Sequence, residues 1–168
     1  MNTRINHYFE SDEFKSRFGK KNTALAVEIM ESVMEYEKRR TKGQRITTSK
    51  DVEDVLDVYY IGENVEKFCV VLLNSQNRVL SIKEINYGKT NACLVDVKTI
   101  LKYVINENKC TGVILAHNHP SGNEKPSNND LELTKQINTV LEAMDVRLLD
   151  HVIYVQNNCY SMANNGEL

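Results

Sequence analysis

Residues 112–122 read GVILAHNHPSG, and this stretch decides the fold of the 168-residue chain more than any other. The run from Gly112 to Ala116 is short, apolar and built of small residues, which favours a buried strand. Pro120 has no backbone N–H, so it ends the hydrogen-bond ladder and turns the chain away from the sheet. The pattern therefore predicts a central strand that ends on His117 and His119 and then turns.

Predicted helices and strands alternate on both sides of this strand. In chain order they are a helix over 25–40, a short helix capped within 47–49, strands over 68–73 and 79–85 joined as a hairpin, a helix capped by Asp96, the central strand, a helix opening at Ser127, and strands over 147–155 and 160–162. Such interleaving predicts an α/β or α+β fold with a mixed sheet.

The first part of the chain has the texture of a helical arm. Apolar residues recur at helical spacing from Leu25 to about Arg40, and the helix is expected to end on its cations and Gly43. The length suits one domain with an extra segment. We therefore predict a helical N-terminal arm over residues 1–63 and a core domain over 64–168.

Composition narrows the function classes. Lysine and arginine number 21 against 23 acidic residues, for a net charge of −2, whereas a non-specific nucleic-acid binder usually has a basic excess. Apolar runs fall short of the ~18 residues of a membrane span, and the start has no apolar signal core. The four cysteines are far apart without a C-x-x-C pair, which is typical of core thiols in a reducing compartment. We expect a cytoplasmic protein without a membrane partner.

The two histidines at the strand end have the spacing of metal ligands. Residues two apart in an extended chain project from one face, with α-carbons about 6.6 Å apart. Asp130 lies three residues after Ser127, in the first turn of the next helix, where its carboxylate can face the strand end. Two imidazoles and one carboxylate leave a fourth position for water, which is the arrangement of catalytic zinc sites.

Ordinary structural roles explain the same residues equally well. A histidine at a strand end is often only a hydrogen-bonded polar residue. Ser127 fits a helix N-cap, and Asp130 fits an acid in a first turn, where the helix dipole favours it. The residues alone leave the metal site and the structural roles both open.

A resemblance to a known family favours the metal site. His117-x-His119-Pro120 followed by Ser127-x-x-Asp130 resembles the JAMM (MPN+) metalloprotease signature, H-x-H-P…S-x-x-D. The fuller string over residues 117–122 and 126–130 resembles the RadC family of bacterial JAB-domain proteins more closely still, and residues 149–151 resemble its closing segment. The similarity covers about residues 65–162.

The resemblance implies a fold, a cofactor and a ligand set. The fold is an α/β/α sandwich in which helices flank a curved mixed sheet, with Zn²⁺ at its edge. Carried over by position, His117, His119 and Asp130 hold the zinc ion, and Ser127 hydrogen-bonds the oxyanion that forms during attack.

The family also has a glutamate near the start of the first core strand. Glu66 matches that place, with Glu63 and Glu84 as competitors. The implied role of Glu66 is that of general base toward the attacking water, which makes the protein a hydrolase of peptide, isopeptide or other amide bonds. Its substrate is then an unknown protein or peptide.

Two other functions remain as alternatives. One is a non-catalytic JAB-fold module in a DNA-repair or mobile-element context, as the family's historical DNA-repair label suggests. The other is a nucleic-acid accessory protein that uses the basic run over 38–45, although a solvated helix end explains that run more simply. Longer RadC proteins resemble a two-part chain with a DNA-contacting N-terminal half, and about 64 residues here offer no such paired hairpins.

His151 also has two interpretations. It can orient one of the metal ligands from behind, or it can be a hydrogen-bonded structural histidine on a strand.

Overall fold

The computed structural model describes residues 11–60, 63–85, 95–155 and 158–168. Five helices and five strands lie within these ranges. The helices are α1 (Asp12–Phe18), α2 (Lys20–Arg40), α3 (Ser49–Tyr60), α4 (Val97–Asn106) and α5 (Asn128–Glu142). The strands are β1 (Phe68–Leu73), β2 (Val79–Ile85), β3 (Gly112–Asn118), β4 (Arg147–Val155) and β5 (Asn158–Ser161).

The five strands form one mixed sheet in the order β2-β1-β3-β4-β5. Strand β1 pairs antiparallel with β2 and with β3, β3 pairs parallel with β4, and β4 pairs antiparallel with β5. The predicted α/β class with a mixed sheet is confirmed.

Helices cover both faces of the sheet, and strands β1 and β3 are therefore buried along their whole length. Helix α3 packs on one face with Val55 and Leu56, beside Val71 of β1. Helices α4 and α5 pack on the other face, where Ile100 and Ile137 meet the opposite side chains of the same strands. Alternate residues of each buried strand therefore belong to two different cores, and the molecule has three layers.

The topology brings three chain segments together at the end of the sheet where β3 finishes. Parallel strands β3 and β4 are joined through α5, so the carboxyl end of β3 lies next to the amino end of α5. Strand β1 runs antiparallel to β3, and Phe68 at its start pairs with His117 near the end of β3. The start of β1, the end of β3 and the start of α5 therefore meet.

Strand β3 is longer than its apolar core. The sequence predicts the strand over Gly112–Ala116, whereas the observed strand continues to Asn118, because His117 and Asn118 pair with Ile153 and Tyr154 of β4. Both histidine-bearing positions thus lie on or directly after a regular strand.

The predicted arm over 1–63 contains α1, α2 and α3, while residues 1–10 lie outside the described ranges. Val52, Val55, Leu56 and Tyr60 of α3 are buried in the core against the sheet. The boundary at residue 63 stays a prediction.

Three of the four cysteines, Cys69, Cys110 and Cys159, are described and are free thiols. Cys93 lies outside the described residues. Within the described ranges, no helix combines the length and the apolar character that crossing a bilayer requires.

Candidate metal centre

The two histidines of the H-x-H pair converge at the end of β3. His117 is fully buried and its ring stacks against Phe68, with centroids 6.0 Å apart. His119 follows the strand, and its backbone N–H donates to the carbonyl of Tyr154 at 2.9 Å. The two Nε2 atoms lie 2.9 Å apart. The strand end therefore presents two imidazole nitrogens to one point.

Glu66 reaches the same point from β1. Because Phe68 pairs with His117 in the antiparallel register, continuing that register by two residues sets Glu66 level with His119. One carboxylate oxygen of Glu66 and one ring nitrogen from each histidine lie within 4.8 Å of one another. The Glu66 side chain is otherwise exposed, so this carboxylate is open to solvent and to a substrate.

Asn118 fixes the segment that carries Glu66. Its side-chain oxygen accepts from the backbone N–H of Lys67 at 2.7 Å, and its side-chain nitrogen donates to the carbonyl of Val65 at 2.9 Å. The backbone N–H of Asn118 also donates to the carbonyl of Lys67, at 3.3 Å. A single residue between the two histidines thus holds the backbone on both sides of Glu66.

Asp130 is oriented by the N-cap of α5. Ser127 and Asp130 form a capping box: the Asp130 N–H donates to Ser127 Oγ at 3.2 Å, and Asp130 Oδ2 accepts from the Ser127 N–H at 2.7 Å. The Ser127 hydroxyl also donates to Oδ2, at 2.6 Å. The other oxygen, Oδ1, lies 3.5 Å from His117 Nε2. The cap therefore occupies one oxygen and leaves the other beside His117. Asp130 does not belong to the group of described residues whose ligand atoms all lie within 4.8 Å of one another, which consists of Glu66, His117 and His119.

The Ser127 hydroxyl has its own proton engaged with Asp130 in this arrangement. To donate to an oxyanion it has to rotate away from Oδ2. Its role toward an oxyanion stays a prediction, whereas its contact with Asp130 is observed.

The competing glutamates lie elsewhere. Glu63 accepts from Lys67 Nζ at 3.0 Å, and Glu84 lies 3.7 Å from the same ammonium and accepts from the Tyr59 hydroxyl. Both carboxylates therefore surround Lys67, and the metal-ligand group found among the described residues contains neither.

A chain of buried polar groups lies behind His117. His117 Nδ1 is 3.0 Å from His151 Nε2, and His151 Nδ1 is 2.6 Å from Thr134 Oγ1 of α5. Sequence reasoning singled out neither Thr134 nor Asn118. Thr134 lies one helical turn after Asp130, so the i, i+4 spacing could have indicated a shared face. The polar Asn118 at a buried strand position was a comparable signal.

Burial dominates the electrostatics of the centre. Desolvation lowers the pKa of His117 to about 4 and that of His151 to about 3, so both rings are neutral at neutral pH. Glu66 is exposed as a whole residue, but partial desolvation of its carboxylate at the centre raises its pKa; His119 opposes this shift and Asp130 adds to it. For Asp130, the effect of His117 and the Ser127 hydrogen bonds outweighs desolvation, and its pKa is lowered. The centre therefore offers the neutral imidazole of His117 beside the ionised carboxylate of Asp130, which is the protonation state in which both can bind a divalent metal.

The two distances from His117 Nε2 to its neighbouring donor atoms fit a tetrahedral metal ion. His119 Nδ1 lies 2.6 Å from the carbonyl oxygen of Asn123, which can only accept, so Nδ1 carries a proton and Nε2 is the ring nitrogen that can bind a metal. Two ligand atoms on a tetrahedral zinc, with bonds of ~2.0–2.1 Å, are about 3.3 Å apart. The distances of 2.9 and 3.5 Å from His117 Nε2 to His119 Nε2 and Asp130 Oδ1 lie on either side of this value. Nitrogen and oxygen donors in this combination suit zinc.

The basic run over 38–45 is partly neutralised within its own helix. Arg39 pairs with Glu35 and Arg40 pairs with Glu37, each at 3.2 Å. Such exposed pairs are weak, but they give both arginines acidic neighbours.

Comparison with known proteins establishes the family. A family model described as a RadC-like JAB domain matches residues 46–167. The three-layer fold with its H-x-H pair at the sheet edge is thus a JAB-type domain. The chain belongs to the RadC-like JAB family.

Curated relatives lead to the same family. A UPF0758 protein of Flavobacterium johnsoniae is 40% identical over 74% of this chain and 54% of its own length. A second, from Acinetobacter baylyi, is 35% identical over 73% of this chain and 45% of its own length. A third, from Vibrio cholerae, is 33% identical over 83% of this chain and 88% of its own length. The chain spans about half the length of the first two, and the name UPF0758 states no activity.

Proposed function

We propose that this protein is a zinc-dependent hydrolase of peptide, isopeptide or other amide bonds. The observation that carries the proposal is the convergence of Glu66, His117 and His119, whose ligand atoms lie within 4.8 Å of one another at the end of β3, with Glu66 exposed. A carboxylate beside two imidazoles is the combination that metal-assisted hydrolysis needs. The membership in the RadC-like JAB family is consistent with this activity.

His117, His119 and Asp130 are the proposed zinc ligands. His117 is held by its buried position in β3, His119 by its contacts with Tyr154 and Asn123, and Asp130 by the capping box. When bound, zinc supplies a Lewis acid that lowers the pKa of a coordinated water and polarises the carbonyl of a substrate.

Glu66 is the proposed general base. Its carboxylate is close to the histidines, yet its side chain is exposed, so a water molecule and a substrate can reach it. Glu66 takes the proton of the attacking water and passes it to the leaving nitrogen. Its raised pKa suits this exchange, because a base that holds its proton more firmly accepts it more readily.

Two measurements test the proposal. Elemental analysis should find about one zinc per chain in the wild type and a large loss in His119→Ala. Cleavage of a peptide library should stop on chelation and in Glu66→Gln, which keeps its zinc because the glutamate is the base and not one of the three ligands.

Glu63→Gln is the matched control, since Glu63 lies near the same strand but contacts Lys67. It should keep both zinc and cleavage. Equal zinc in the wild type and His119→Ala contradicts the ligand set. Zinc without cleavage, in a protein whose Glu66→Gln variant behaves identically, contradicts catalysis and supports a non-catalytic JAB module.

A further inference from the structure

Three buried side chains form a continuous row that ends at the metal centre. Thr134 of α5, His151 of β4 and His117 of β3 are each at most 1% exposed. Thr134 Oγ1 lies 2.6 Å from His151 Nδ1, and His151 Nε2 lies 3.0 Å from His117 Nδ1. The free end of the row is His117 Nε2, which faces His119 Nε2 and Asp130 Oδ1. The direction in which the groups of this row donate their protons therefore decides whether His117 Nε2 can bind a metal.

The Thr134 hydroxyl sets the direction of the row. Its single proton has a nearby acceptor in the backbone carbonyl of Asp130, 2.5 Å away, and a carbonyl can only accept. The Met162 sulfur is a weaker and more distant acceptor at 3.7 Å. When the Thr134 hydroxyl donates to the Asp130 carbonyl, its oxygen accepts from His151, so His151 carries its proton on Nδ1.

The remaining protons follow from this assignment. A neutral His151 with its proton on Nδ1 accepts at Nε2, so His117 Nδ1 is the donor. His117 Nε2 then holds a lone pair and is ready to bind a metal. In the reversed row, the Thr134 hydroxyl donates to His151, His151 donates to His117, and the proton on His117 Nε2 blocks metal binding.

A bound metal ion favours the first direction. In the reversed row, Thr134 Oγ1 faces the Asp130 carbonyl at 2.5 Å within a buried helical turn, with no proton between them. In the metal-ready row, the contacts without a proton are those of His117 Nε2 with His119 Nε2 at 2.9 Å and with Asp130 Oδ1 at 3.5 Å. A metal ion bound to these atoms replaces the missing proton, whereas nothing replaces it in the helical turn.

We infer that Thr134 and His151 are positioning residues that hold His117 in the tautomer able to bind zinc. The Asp130 backbone that anchors the row belongs to the residue whose carboxylate completes the proposed ligand set. The start of α5 therefore orients two ligands, Asp130 directly and His117 through the row. This inference rests on the proposed zinc site.

The first test compares two substitutions at Thr134. Thr134→Val keeps the shape of the side chain and removes the hydroxyl, whereas Thr134→Ser keeps the hydroxyl and removes a methyl group. Zinc affinity of the full chain is measured by competition with a chromophoric chelator, alongside the free energy of unfolding of the metal-free variants. We expect Thr134→Val to bind zinc about tenfold more weakly, in the range seen for outer-shell partners, and Thr134→Ser to stay close to the wild type.

The second test needs no variant. Nitrogen-15 NMR of the zinc-loaded wild type at neutral pH distinguishes protonated from unprotonated ring nitrogens. We expect a protonated His151 Nδ1 and an unprotonated His151 Nε2. A His151 ring protonated on Nε2 overturns the inference.

The outcomes separate this inference from the proposed function. A wild type that binds no zinc overturns the zinc hydrolase. A wild type that binds zinc no more tightly than Thr134→Val, or a Thr134→Ser that loses as much affinity as Thr134→Val, overturns the row of positioning residues and leaves the zinc site standing.

Discussion

Asn118 lies between His117 and His119 in the chain, but its side chain faces away from them. Successive residues of a strand project to opposite faces, so the histidines face the metal centre while the Asn118 amide meets the backbone of Val65 and Lys67. The amide continues the pairing of β1 and β3 beyond the last regular pair. It thereby fixes the distance between the proposed base and the proposed ligands.

Removing this amide should loosen the Glu66 segment. Asn118→Ala leaves the Lys67 N–H and the Val65 carbonyl without their side-chain partner, at a cost of about 1–3 kcal/mol in the free energy of unfolding. Hydrogen exchange at the Lys67 amide should accelerate, as measured by NMR, and zinc affinity should change little.

Asn74→Ala is a suitable comparison, because the Asn74 side chain accepts from two backbone N–H groups in the β1–β2 turn, away from the centre. It should destabilise the protein without changing exchange at Lys67. Unchanged exchange at Lys67 in Asn118→Ala would show that strand pairing alone positions Glu66.

At the scale of elements, the contacts that stabilise the start of helix α5 also orient a residue of the metal centre. The capping box ties the first turn of the helix and leaves only one Asp130 oxygen free toward His117. The same contacts that start the helix thus select which oxygen is offered to a metal. Stability and ligand orientation are coupled at this helix start.

Ser127→Ala should therefore lower both the stability of the protein and its affinity for zinc. Loss of the cap costs about 1 kcal/mol of stability, and the released Asp130 carboxylate should lower zinc affinity about tenfold. Urea unfolding and chelator competition measure the two effects.

Asp96→Ala is the matched cap variant. Asp96 caps α4 by accepting from the Lys98 N–H and the Thr99 hydroxyl, and none of the proposed ligands His117, His119 and Asp130 lies on α4. A similar loss of stability with unchanged zinc affinity is expected. If both variants lose zinc equally, general destabilisation explains the effect.

At the scale of the whole molecule, the packing of the three layers buries two neutral histidines, His117 and His151. Desolvation lowers the pKa of His117 to about 4 and that of His151 to about 3, against about 6.5 in an unfolded chain. Between pH 6.5 and these lower values the unfolded chain binds more protons than the folded one. Stability is therefore complete above pH 6.5 and falls with the pH below it.

Metal-free protein should thus unfold at lower urea concentration at pH 4.5 than at pH 7. Each unit of lowered pKa corresponds to about 1.4 kcal/mol. Burial raises the pKa of Asp150, which acts in the opposite direction. Both the wild type and His151→Gln contain Asp150, so the difference between their stabilities removes the contribution of Asp150. The free energy of unfolding of His151→Gln should depend less steeply on pH than that of the wild type. Parallel curves for the two proteins would exclude His151 as a source of acid sensitivity.

The sequence determined the local parts of this protein. The apolar run ending at His117, the turn at Pro120 and the helix start at Ser127 were all predicted, because strand alternation, the missing N–H of proline and N-cap chemistry act over a few residues. The α/β class followed from the order of these elements and is confirmed.

The tertiary structure decided what meets at the centre. The sequence favoured Glu66 over Glu63 and Glu84 by resemblance, but only the pairing of β1 with β3 brings its carboxylate to the histidines. Asn118 contacts a segment 51 residues away and Thr134 a histidine 17 residues away. Local periodicity carries no information about such distant contacts, because their geometry exists only once the strands have paired and α5 has packed on the sheet.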